Sequence, residues 1–112
     1  MTVTAKTLLQ AAQLPSSETA QYTVPSNTRT IIDKMTVTNP TGGAVTFTIK
    51  LVAAGGTAAT TNTVISAQSV AAGTAYLCPE VVGHILNPSD FISALASSAA
   101  SLVLRISGRE VA

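Results

Sequence analysis

Val45, Phe47, Ile49 and Leu51 alternate with Thr46, Thr48 and Lys50. A period of two is the mark of a strand with one face buried and the other wet. The same rhythm recurs along the chain. In residues 28–39, Met35 and Val37 share one face while Lys34, Thr36 and Thr38 share the other. Ile92, Ala94 and Ala96 alternate within 91–96, and Leu102, Leu104 and Ile106 point inward within 101–111 with Arg105 outward. Residues 19–24, 63–70, 74–78 and 81–86 supply shorter apolar pieces.

Turn chemistry separates these segments. Val24-Pro25-Ser26-Asn27 pairs a proline that presets the backbone with an asparagine that tolerates the left-handed region. Asn39-Pro40-Thr41-Gly42-Gly43 and Asn87-Pro88-Ser89-Asp90 are of the same kind. Ala71-Ala72-Gly73 reads as the turn of a hairpin joining 63–70 to 74–78, and residues 53–62 and 97–100 are loops of small residues. Residues 7–14 are ambiguous. Leu8, Ala11 and Ala12 would share one side of two helical turns, but Pro15-Ser16-Ser17 follows at once, so a first strand or extended arm is favoured. The expectation is an all-β, two-sheet antiparallel sandwich or jelly roll of about eight short strands. Residues 1–14 form an N-terminal arm or first strand, and 15–112 a single β-sandwich domain. Asp33 falls in phase with Met35, which would bury it unless a bulge shifts the register. A salt bridge with Arg29 or Arg105 would resolve that burial.

The chain of 112 residues has 10% charged residues and a net charge of +1. Ordinary domains carry about 25%. The charges are scattered singly, with no basic run to engage phosphates, so nucleic acid is not an expected partner. So few charges leave little to keep free copies apart, which suits a surface covered in an assembly. With two Phe, two Tyr and no Trp, the core must be built from Val, Ile, Leu and Ala. No stretch reaches the length of a membrane span, and the first residues lack the pattern of a secretory signal.

Candidate chemistry is sparse. Cys78, the single cysteine, lies between Leu77 and Pro79 and reads as a small buried hydrophobe. His84, the single histidine, would have to serve any triad, and its place between Gly83 and Ile85 suits a loop or structural role better. Glu18, Asp33, Glu80, Asp90 and Glu110 are far apart in sequence, and Asp90 fits a turn position. Neither Gly42-Gly43 nor Gly55-Gly56 is followed by the elements of a phosphate loop. No catalytic residue, cofactor, metal or small-molecule substrate is expected, and the chain reads as non-enzymatic.

Tyr22-Thr-Val-Pro25, Asn27-Thr-Arg-Thr-Ile-Ile32 and Met35-Thr-Val-Thr-Asn39 resemble a recurring phrase in small virion proteins of tailed bacteriophages. Asn87-Pro-Ser-Asp90-Phe-Ile-Ser-Ala94 and Leu104-Arg-Ile-Ser-Gly108-Arg-Glu110 resemble the C-terminal half of that family. The resemblance runs from Thr7 onward and implies a structural protein present in many copies on the particle. It implies made-in-cytoplasm, virion-borne protein, most simply a capsid decoration (cement) protein on the capsid exterior. The implied partners are the major capsid protein and copies of itself, as dimer or trimer. Head–tail neck or tail and fibre-base components are the alternative, and a carbohydrate- or receptor-binding module a further one. Leu8, Leu9 and Leu14 are the candidate partner-contact residues. Their segment could add a strand to a neighbour's sheet edge or pair within its own sheet.

Overall fold

A computed structural model describes residues 2–112; Met1, the first residue of the 1–14 segment, lies outside the described residues. Nine strands follow one another: β1 Val3–Gln13, β2 Thr19–Thr23, β3 Arg29–Thr38, β4 Val45–Val52, β5 Thr63–Val70, β6 Ala75–Tyr76, β7 Ile85–Leu86, β8 Phe91–Ala96 and β9 Val103–Val111. Single 3₁₀ turns at Thr60–Asn62 and Pro79–Val81 complete the set. One sheet (sheet A) runs β1-β9-β3-β6, with β7 also paired to β3; the other (sheet B) runs β2-β8-β4-β5. All pairings are antiparallel.

The pairing is nested. The first strand pairs with the last, the second with the next to last, β3 with β6 and β7, and β4 with β5. A long ribbon doubled on itself and wrapped into two sheets in this way is a jelly roll. The position opposite β3 that an unbroken strand would fill is divided between β6 and β7. Cys78 breaks it, taking a left-handed conformation at φ 47° directly before Pro79.

The core lies between the sheets where alternation placed it. Met35, Val37, Ile49, Ile92, Leu102, Leu104 and Ile106 are fully buried, and Phe47 is the largest side chain among them. Asn27 takes the left-handed conformation its turn requires, at φ 58°. Asp90 locks the 87–90 turn, accepting hydrogen bonds from the Asn87 amide (2.8 Å) and the Ala54 amide (2.9 Å).

Two expectations are corrected by the register. β5 and β6 do not form a hairpin: β5 pairs with β4 in sheet B and β6 with β3 in sheet A, so the chain crosses between sheets at 71–74. Asn39 fixes that crossing. Its buried amide donates to the carbonyls of Val70 and Gly43, both at 2.8 Å, and its Oδ1 accepts from Thr41 N (3.0 Å) and Oγ1 (2.6 Å). Its own backbone bonds Gly73 and Thr74 at 2.8 Å each. One side chain thus ties the β3–β4 turn to the β5–β6 crossing.

The second correction concerns Asp33. A bulge between Ile32 and Lys34 slips the phase of β3, so Asp33 faces solvent beside Arg109, not Arg29 or Arg105. A matching bulge between Thr7 and Leu9 lies on the other side of β9, which turns both Leu8 and Leu9 toward the core. On β9 the slip of β3 falls between Gly108 and Ser107 and that of β1 between Ser107 and Ile106. A Cβ added to Gly108 would overlap the Ile31 carbonyl oxygen and come within 3.0 Å of Leu8 Cδ1. Only glycine lets the β3 backbone approach so closely.

Gly108→Ala should therefore lower the free energy of unfolding by at least about 3 kcal/mol, since backbone must move to admit the methyl. Gly42→Ala, with nothing within 4 Å of the new Cβ, should shift it by less than about 0.5 kcal/mol. Urea titration compares the two, and equal effects would refute the close-approach account. Asn39→Ala takes the side-chain donor from the buried Val70 carbonyl and should cost about 2 kcal/mol on the same titration. A loss below about 1 kcal/mol would show that the crossing is held some other way.

Candidate functional site

The residues that could carry chemistry are dispersed. His84 is exposed in the turn before β7, where its backbone carbonyl accepts from Ile32 N (3.1 Å) and its amide donates to Val81 O (3.2 Å). No side-chain hydrogen bond joins it to a serine, cysteine or carboxylate among the described residues. Cys78 is fully buried in the core. Burial, with the charge of Glu80 adding to it, pushes its thiol up to about 12, so no thiolate forms at neutral pH. Among the described residues, no three His, Cys, Asp or Glu side chains gather as a metal would need. A hollow of about 390 Å³ opens beside Asn27, Thr28, Arg29, Pro88, Val111 and Ala112. Arg29 is its one charged lining residue, and it holds no acid–base pair.

The polar groups that do meet bind the two sheets together. Tyr22 of β2 donates its hydroxyl to Glu110 of β9 at 2.6 Å, and the same oxygen lies 2.8 Å from Thr30 Oγ1 of β3. Lys6 of β1 closes the cluster on Glu110 at 3.2 Å. Burial, then the bond to Glu110, raises the Tyr22 phenol to about 12. Tyr76 donates to Glu80 at 2.6 Å and sets its ring against Phe47, centroids 5.9 Å apart. Both tyrosines are thus committed to the fold's own contacts.

What remains is surface. β1 is the outermost strand of sheet A, eleven residues long. Thr2 exchanges both backbone hydrogen bonds with Ala112, and antiparallel pairing alternates along the ladder. The N–H and C=O groups of Val3, Ala5 and Thr7 therefore face away from β9, toward open solvent. The three candidate contact residues sit behind this edge. Leu8 and Leu14 are buried in the protein's own core, and Leu9 packs against it. Their side chains hold β1 to the sandwich, and the backbone edge is what the segment presents outward.

Charge is unevenly placed in a way no single segment of sequence shows. Arg29 and Lys34 on β3, and Arg105 and Arg109 on β9, all point outward from sheet A, each next to a buried neighbour on the opposite face. Ion pairs join Lys6 to Glu110, Lys50 to Glu18, and Arg109 to Asp33 at 3.0 Å.

No protein-family model matches this chain, and no curated protein matches it. Among solved structures, the chain is similar in fold to one in the structure of the infectious bursal disease virus Gx strain. The TM-score is 0.49 at 14% identity, covering 97% of this chain and 30% of that one. This chain thus spans less than a third of that neighbour's length. A likeness of that degree carries no conclusion about function.

Tyr76, raised to about 12 by its bond to Glu80, adds to an alkaline response led by the buried Cys78 and Tyr22. Both stay protonated in the folded protein up to about 12, whereas unfolding returns them to 9.0 and 10.0. Their contribution is complete below the unfolded values and is lost as pH rises through the window to 12, because only the unfolded chain releases protons there. The urea midpoint should stay level to pH 9 and then fall, with onset moving toward 10 in Cys78→Ala. A wild-type midpoint that is flat to pH 12 would contradict the burial of both groups.

Proposed function

We propose that the chain is a non-enzymatic structural protein of a tailed-bacteriophage virion, a decoration protein on the capsid exterior. Its partners in this reading are the major capsid protein and copies of itself. The observation that carries it is the open edge of β1, with outward backbone groups at Val3, Ala5 and Thr7. Bulges break the strand beyond Thr7, but residues 3–7 keep a regular register, and a regular open edge templates pairing with another chain. An edge left open on a particle component is a place for a neighbour's strand to dock through main-chain hydrogen bonds. Leu8, Leu9 and Leu14 serve the contact indirectly, by anchoring β1 flat against the core so that its edge stays presented.

Two further features support the reading. Jelly rolls recur in viral capsid and lectin domains, although architecture alone does not choose a function. The exposed surface of the strands is rich in Thr, Ser and Ala. Such side chains lose little rotamer freedom when covered, so an interface made from them forfeits less entropy than one made from Lys and Glu. Each contact is modest, and attachment is secured by several acting at once.

Quantitative mass spectrometry of purified particles, referenced to the major capsid protein, tests the proposal. A shell protein should be present at on the order of hundreds of copies, following capsid symmetry. About a dozen or fewer would move it to the neck or tail instead, and its absence would overturn the virion reading. Particles depleted of it should rupture at a lower temperature than complete ones; equal rupture temperatures would remove the stabilising role.

A further inference from the structure

We infer that the outer face of sheet A is a docking surface for an acidic protein surface supplied by a different molecule. This deepens the virion reading, on which the partner's place in a particle rests. The basis is a charge imbalance created by the fold. Each of the five side-chain carboxylates is already engaged: Glu18 with Lys50, Asp33 with Arg109, Glu110 with Lys6 and Tyr22, Glu80 with the Tyr76 hydroxyl, and Asp90 with two backbone amides. The cations are not matched in the same way. Lys34 and Arg105 make no ion pair among the described residues, and Arg29 reaches only the Asn87 side-chain oxygen at 3.4 Å. These three all lie on one face of one sheet.

Register brings them together. Lys34 stands opposite Ser107 and Arg105 opposite Thr36, so the two cations are diagonal neighbours across the β3–β9 ladder. Arg29 sits at the start of the same face, opposite Val111. Nothing within the sheet neutralises the Lys34 and Arg105 pair, and Arg29 adds a third positive charge farther along the same face, beyond the Asp33–Arg109 ion pair. Like charges at that spacing weaken a sheet slightly, which an external anion would relieve.

The occupant follows from what the protein lacks. A second copy could not satisfy this face, because its carboxylates are in use and its matching face is also cationic. The partner must bring carboxylates of its own. It is a protein in preference to a nucleic acid, because the face carries exposed aliphatic side chains in the cross-strand rows of Arg29 and Arg109. Val3 is 55% exposed and Ile85 61%, with Ile31 and Val111 between them in cross-strand register. Phosphate backbones gain nothing from such contacts, whereas protein interfaces combine an apolar patch with arginine.

Fluorescence anisotropy with a poly-glutamate peptide and with a short DNA duplex tests the face directly. The double variant Lys34→Gln/Arg105→Gln removes two positive charges on exposed positions. Ser17→Glu/Thr57→Glu, also exposed and away from sheet A, changes net charge by the same amount. The wild type should bind poly-glutamate with an affinity that falls as salt rises, the Gln pair should lose about tenfold, and the Glu pair should keep most of it. Equal loss in both variants, or no binding by the wild type, would overturn the inference. Tighter binding to DNA through the same two residues would replace the protein partner by a nucleic acid. Particle incorporation separates this from the broader reading. A wild-type chain missing from particles defeats the virion role and leaves the face to be judged by poly-glutamate alone. A Gln pair incorporated as well as wild type defeats docking through this face.

Discussion

The contact between the β9 backbone at Gly108 and the β3 backbone at Ile31 governs sheet A. It leaves no room for a side chain, and the strands on both sides of β9 slip register beside it. Those slips decide orientation downstream. One sends Asp33 outward to Arg109; the other turns Leu8 and Leu9 inward together and seals β1 against the sandwich. A missing side chain at one position therefore sets the charge pattern of the outer face and the burial of the edge strand. Bulges of this kind bend and twist a sheet locally, and here two lie on either side of one strand, a single residue apart along it.

Much of the fold was legible because alternation is a local property. Met35, Val37, Ile49, Ile92, Leu104 and Ile106 all face the core as their spacing requires, and Asn27 and Asp90 hold the turns their chemistry suits. Alternation reports which face of a strand is buried, not which sheet the strand joins. That choice is made by contacts between distant residues, as when Asn39 reaches Val70 and draws β5 and β6 into different sheets. At Asp33 the sequence left burial or a bulge open, and what decides between them is a close approach to a glycine on another strand. The aliphatic side chains of 8, 9 and 14 could be read as apolar, but their direction depends on a bulge that no nearby residue announces.

The candidate surface escaped the sequence for a related reason. Scattered single charges give no run or cluster in a linear reading. Two strands placed side by side gather Arg29, Lys34, Arg105 and Arg109 onto one plane with Asp33 as its single carboxylate, while Glu110 turns to Tyr22 and Lys6 and the other carboxylates settle at turns and on other strands. A near-neutral protein can thus present a cationic face. Net charge governs long-range attraction; the local pattern governs which partner fits once contact is made.

The nested pairing of strands also imposes a calendar on the molecule's birth. β4 and β5 are neighbours in the chain and can meet early, but β1 must wait for β9, which leaves the ribosome after every other strand described. Closing loops of that length is slow, and folds dominated by distant pairings fold slowly for that reason. Throughout the delay Leu8, Leu9 and Leu14 lie uncovered on an unpaired strand. The same segment that ends as the sandwich's outer border spends its first moments as the part of the nascent chain most in need of a chaperone.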